Sequence, residues 1–260
     1  MLNLQDIEAQ YPEHLRAFKR NILREYLQYK ILEIIFNSPC TAKLSFLGGT
    51  ALRIVYQNKR FSEDLDFDNF GMTQTEFSQL AKEVKQELER EGYIAETHTV
   101  FKRAYRCKVR IPRLLFENDL SVFREEKILI QLDTSPHHFS YVPTTKTLNK
   151  FDVFTQIRVT PPDILLSQKI YAVFNRKRAM GRDFYDIVFL LSFTKPNYQY
   201  LEQKLRIRNG VELRKRLLSK IESLDFDKLR QDVQAFLTFP QDGRKIELFR
   251  EYLQEVDLGE

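Results

Sequence analysis

Two short blocks, Gly48-Gly49-Thr50 and Asp64-Leu65-Asp66-Phe67, restrict this chain more than anything else in it. Residues 44–47 read as an apolar strand running into the glycines, 51–56 as the helix after them, and 64–67 as a second strand pairing near the first. Alternate residues of a strand point to one face, so Asp64 and Asp66 project together. Two like charges held that close are costly unless something positive sits between them. A divalent metal is the best candidate, because hard cations such as Mg2+ (or Mn2+) take carboxylate oxygens together with substrate phosphates. Glycines let backbone amides approach a phosphate, and the helix N-terminus that follows favours its charge. The blocks outline a phosphoryl- or nucleotidyl-transfer site. Asp64 and Asp66 are the expected metal ligands, and Gly48, Gly49 and Thr50 the expected phosphate contacts.

A third acid has a matching setting. In residues 127–133, Ile128, Ile130 and Leu132 share one strand face, and Leu129, Gln131 and Asp133 share the other. If this strand neighbours 64–67, three carboxylates converge, as a site clamping attacking and leaving oxygens requires. The bland reading is a strand-end acid turned to solvent. A calcium loop starting at Asp64 is disfavoured, since its sixth position is Asn69 and its twelfth Thr75, where glycine and glutamate belong.

With 43% apolar and 30% charged residues, the 260-residue chain can bury a substantial core. Residues 13–37 have the spacing of one long helix. Thr73 opens another as far as Glu91, with Glu76 completing a capping box and Gly92 ending it. Strands are expected at 93–100, 104–111, 127–133 and 153–159. From Thr160-Pro161-Pro162-Asp163 onward the pattern is helical. The expectation is an α+β fold with a small mixed sheet over 1–159 and a helical domain over 160–260. No apolar run approaches the roughly 20 residues of a membrane helix. Neither a secretory leader nor a paired-cysteine spacing is visible. A soluble cytoplasmic protein with buried thiols at Cys40 and Cys107 is expected.

In the helix after Thr160, Lys169 falls within an inward stripe of Leu165, Leu166, Ala172 and Val173. It can snorkel to solvent or aim its ammonium at a phosphate or carboxylate. Arg182 and Asp183 open the next helix. Asp183 and Asp186 read either as dipole-complementing and solvated acids, or with Asp186 pairing with Lys169 or orienting an acceptor hydroxyl while Arg182 holds a triphosphate. The net charge of +5 includes two basic clusters. One comprises Lys102, Arg103, Arg106, Lys108, Arg110 and Arg113; the other Lys204, Arg206, Arg208, Arg214, Lys215 and Arg216. Each is either an RNA-phosphate surface or an ordinary solvated face. His137-His138 is a loop rather than a zinc site, since adjacent side chains diverge.

Phe46-Leu47-Gly48-Gly49-Thr50-Ala51-Leu52, followed by Arg60-Phe61-Ser62-Glu63-Asp64-Leu65-Asp66-Phe67, resembles the AbiEii/AbiGii toxin family of nucleotidyltransferases. Lys169-Ile170-Tyr171-Ala172 with Gly181-Arg182-Asp183-Phe184-Tyr185-Asp186-Ile187 resembles its downstream motif. The resemblance implies a DNA polymerase β-like nucleotidyltransferase core and the toxin half of a bacterial toxin–antitoxin or abortive-infection system. It further implies NTP as substrate, in some relatives the tRNA 3′ end as acceptor, and a cognate antitoxin. Gly49 replaces the serine of the common Gly-Ser form, so a side-chain phosphate contact there falls to Thr50. The expected activity is metal-dependent nucleotidyl transfer, with Asp64, Asp66 and Asp133 at the metal and Asp133 also helping to deprotonate the acceptor. Lys169 and Arg182 are expected on the triphosphate, with Asp186 beside Lys169. Two alternatives stay open: a protein or small-molecule hydroxyl as acceptor, and a non-catalytic RNA- or partner-binding module.

Overall fold

The computed structural model describes residues 2–102, 104–136 and 138–259. Contacts divide the chain into two units, one made of Met1–Tyr56 and Phe61–Val159, the other of Gln57–Arg60 and Thr160–Glu260.

The first unit is built on a mixed sheet of β1 (Leu44–Leu47), β2 (Leu65–Asn69), β3 (Glu96–Phe101), β4 (Tyr105–Pro112), β5 (Lys127–Ser135), β6 (Thr144–Lys150) and β7 (Val153–Val159). Their spatial order is β3-β4-β5-β2-β1-β7-β6. β2 runs parallel to β5 and β1 parallel to β7, while the remaining neighbours are antiparallel. Five helices accompany it: α1 (Leu4–Ala9), α2 (Lys19–Asn37), α3 (Gly48–Ile54), α4 (Gln74–Arg90) and α5 (Leu114–Glu117).

Alternation decides which way each strand faces. On β5, Ile128, Ile130 and Leu132 are buried, whereas Leu129, Gln131 and Asp133 turn outward. On β4, Cys107, Val109 and Ile111 point in, and Arg106, Lys108 and Arg110 point out. α2 is buried on most sides, Glu25, Gln28 and Lys30 included, because it lies against both β7 and α4. α4 carries the expected capping box, with Thr73 and Glu76 bonded reciprocally, and buries Phe77, Leu80, Ala81, Val84 and Leu88 as one stripe.

Several expectations change. β2 starts at Leu65, one residue after Asp64; α3 takes in the glycines and ends at Ile54; and β3 begins at Glu96 rather than residue 93. The helix read over 13–37 is a 3₁₀ turn at Glu13–Leu15 followed by α2, because Phe18 leaves the helical region at ψ 45°. β6 has no counterpart in the sequence reading. It is an edge strand of Thr, Lys and Asn in which Leu148 is the buried residue, so it lacks apolar alternation. Cys107 is buried as expected, but Cys40 is half-buried.

The second unit comprises α6 (Pro162–Asn175), α7 (Gly181–Leu191), α8 (Tyr198–Leu205), α9 (Gly210–Ile221), α10 (Phe226–Gln234), α11 (Arg244–Glu247) and α12 (Phe249–Glu255). α7 lies against α6 and α10. Gly181 opens α7 where the Leu229 carbonyl of α10 presses on it, so a Cβ at that position would overlap the oxygen. Residues 57–60 belong to this unit through Lys59, whose carbonyl accepts from the Thr238 hydroxyl at 2.7 Å, and through an Arg60–Leu237 bridge. No helix among the described residues is long and apolar enough to cross a membrane.

Candidate active site

Side chains, rather than a strand ladder, fix the segment leading into Asp64. The Ser62 and Glu63 carbonyls accept from Gln28 Nε2 at 3.0 and 2.9 Å, and the Asp64 carbonyl accepts from the Thr50 hydroxyl. Gln28 and Thr50 are both buried, so three successive carbonyls outside the sheet are satisfied by interior donors. The Thr50 hydroxyl, expected on a phosphate, is engaged with the protein backbone.

β2 then sends Leu65 and Phe67 into the core and Asp66 and Asp68 to the other face. Asp68 is buried and accepts from the Tyr141 hydroxyl at 2.6 Å. Asp64 and Asp66 are half-buried. Gly48, at φ +80°, turns β1 into α3 with its Cα against Asp66. A Cβ there would overlap Oδ2 of Asp66, and the backbone angle independently favours glycine.

Register places one residue from each of five strands in a row: Leu47, Asp66, Asp133, Arg106 and Val100. Neighbouring strands lie about 4.8 Å apart, so direct partners share a face at close range. The condition set for Asp133 is met, since β5 is the parallel neighbour of β2 and Asp133 is the partner of Asp66. Its carboxylate, however, is taken by Arg106, with Nε on Oδ1 at 2.7 Å and Nη2 on Oδ2 at 3.0 Å. Gln131 Nε2 donates to Oδ2 at 3.0 Å. These bonds hold the Arg106 guanidinium above its ordinary pKa, and the charges of Asp64 and Asp66 add to the effect. Among the described residues, no three His, Cys, Asp or Glu side chains are gathered closely enough to hold an ion. The expected convergence of Asp64, Asp66 and Asp133 is therefore met in register by Asp66 and Asp133 alone: Asp64 precedes β2, and the third carboxylate is engaged by Arg106.

The helical unit holds a second charged cluster. Asp186, fully buried on α7, accepts Arg60 Nε at 2.7 Å and Nη2 at 2.6 Å, Asn58 Nδ2 at 3.0 Å, and lies 2.8 Å from Lys169 Nζ. Burial alone would raise its pKa, but Arg60 and Lys169 outweigh that and hold it at about 2. Asp183 pairs with Lys169 at 3.3 Å and with Arg176 at 2.8 Å. The out-of-pattern Lys169 thus has two carboxylate partners, and of the two roles open to Asp186 the pairing with Lys169 is the one formed. Sequence reasoning gave Arg60 no role of its own. A lone arginine in a short loop carries no periodic signal that it is interior. Arg182, in the first turn of α7, is half-buried.

The two basic clusters differ. Arg106, Lys108 and Arg110 lie on the outward face of β4, on the same side as Asp133, while Arg103 lies outside the described residues. In the second cluster, Arg214 donates to the Val256 carbonyl at 2.7 Å, Arg216 to that of Leu205 at 2.7 Å, and Arg208 pairs with Glu202 at 2.9 Å. Those guanidiniums act largely within the unit. His138 is in the link between β5 and β6; His137 lies outside the described residues.

The fold is that of a nucleotidyltransferase. A crystal structure of JHP933 from Helicobacter pylori superposes with a TM-score of 0.54 at 20% identity, over 90% of this chain and 94% of that one. A second structure, "Crystal structure of putative nucleotidyltransferase from H. pylori", gives 0.55 at 22% identity over 91% and 97%. No curated protein matches in sequence. Residues 30–255 match the family described as "Nucleotidyl transferase AbiEii toxin, Type IV TA system", and the chain belongs to that family of toxin–antitoxin nucleotidyltransferases. Membership implies an NTP substrate and an antitoxin partner.

Proposed function

We propose that the chain transfers a nucleotide from an NTP to the 3′ end of tRNA in a reaction dependent on Mg2+ or Mn2+. The observation carrying this reading is the row in which Asp66 and Asp133 are direct partners while the missing Cβ of Gly48 makes room for Asp66 Oδ2 against the turn. Asp64 and Asp66 offer the hard oxygens such an ion takes, so they fit it; Asp133 joins them on release from Arg106. A bound divalent ion would neutralise charge on the transferring phosphate and favour ionisation of the attacking hydroxyl. The chain's own groups do the rest. Gln28 and Thr50 hold the Asp64 backbone in place, Gly48 and Gly49 present backbone to phosphate oxygens, and Asp133 accepts the acceptor's proton. Lys169, its ammonium oriented by Asp186 and Asp183, and Arg182 bind the triphosphate. An RNA acceptor is supported by Arg106, Lys108 and Arg110, which share the sheet face of Asp133.

The test incubates the full chain with each labelled NTP, Mg2+ and total tRNA. Label on tRNA 3′ ends is expected, lost on chelation and in Asp64→Asn. Label on protein or a small molecule would reassign the acceptor, and no transfer from any NTP would overturn the reading.

A further inference from the structure

We propose that Arg106 is the resident cation of the carboxylate row, holding Asp133 while no divalent ion is bound and yielding it when one enters. This rests on the metal reading above. The row places Arg106 and Asp66 as the two direct neighbours of Asp133, one on each side. Asp133 thus has a cation on β4 and a like charge on β2, and its carboxylate turns to the cation at both oxygens.

The pair is also built to open. The Arg106 side chain is 47% exposed and that of Asp133 23%, so solvent screens their attraction and the long arm has somewhere to go. Gln131 stays with Asp133 when Arg106 leaves, which keeps the carboxylate oriented. A displaced guanidinium remains on the outward face with Lys108 and Arg110, where anionic substrate is its natural partner.

The discriminating measurement is Mn2+ affinity of the full chain without nucleotide, read by the paramagnetic signal of the free ion or by calorimetry. Removing one partly solvated positive charge from beside a divalent ion is worth roughly tenfold, so Arg106→Met and Arg106→Gln should bind Mn2+ about tenfold more tightly than the parent. Asp133→Asn should cancel that gain when combined with either change. A purely structural Arg106 would alter thermal stability and leave Mn2+ affinity alone. Unchanged or weaker binding in folded Arg106→Met and Arg106→Gln, with binding still lost in Asp64→Asn, overturns the inference and spares the metal reading. Absence of Mn2+ binding in parent and variants alike overturns both.

Discussion

The sheet and the helical unit each contain a two-point arginine–aspartate pair, and the two pairs live under opposite conditions. Arg106 and Asp133 have side chains 47% and 23% exposed; Arg60 and Asp186 have 2% and 0%. Exposed pairs contribute about 0–1 kcal/mol, because water and salt screen them. A buried pair behaves differently: deleting one partner strands the other charge away from water and costs about 3–5 kcal/mol. The contrast separates two uses of similar residues. Asp133 is placed where a carboxylate can change partner, whereas both oxygens of Asp186 are committed to Arg60, Asn58 and Lys169, so it acts through the groups it holds.

The sharpest way to break the contrast is Arg60→Met. We expect a loss of about 3–5 kcal/mol in urea unfolding followed by helical circular dichroism, and a loss under about 1 kcal/mol would dissolve the distinction. Next comes Asp66→Asn, expected to lower nucleotidyl transfer on the order of 10³-fold, equivalent to about 4 kcal/mol, with the thermal midpoint nearly unmoved. A shared loss of folding would instead make Asp66 structural. Third is the acid limb. Asp186 is held at about 2 against an ordinary 3.8, so its contribution is complete above about pH 4 and is lost as pH falls towards and through 2. That contribution is about 2 kcal/mol, and Asp186→Asn should flatten the stability slope over that window. Gly48→Ala should cost about 1–2 kcal/mol through its backbone angle, and should weaken Mn2+ binding by crowding Asp66. Smallest of all, Arg106→Met should shift stability by less than about 1 kcal/mol; a larger loss would mean the exposed pair is structural too.

Local chemistry was legible in the sequence wherever a short-range signal existed. Thr73 with Glu76 gave the α4 start, the apolar runs gave β1 and β7 at their observed limits, and alternation gave the outward face of Asp133. β6 was missed because an exposed edge strand needs no apolar stripe. The Arg106–Asp133 pair was not legible because it depends on β4–β5 register across 27 residues, which nothing local specifies. Lys169 stood out as a charge within an apolar stripe, and its carboxylate partners are there. Arg60, spaced 126 residues from Asp186, gave no such warning.

The membership of Gln57–Arg60 in the helical unit has a practical side for anyone cutting the gene. The helical half is discontinuous: a fragment starting at Thr160 would carry Asp186 with Lys169 but without the Arg60 guanidinium and the Asn58 amide that bond its carboxylate. A fragment ending at Val159 would keep Arg60 without Asp186. The four-residue excursion stitches the halves topologically, so this enzyme should be expressed whole, and split or swapped versions should carry residues 57–60 with the second half.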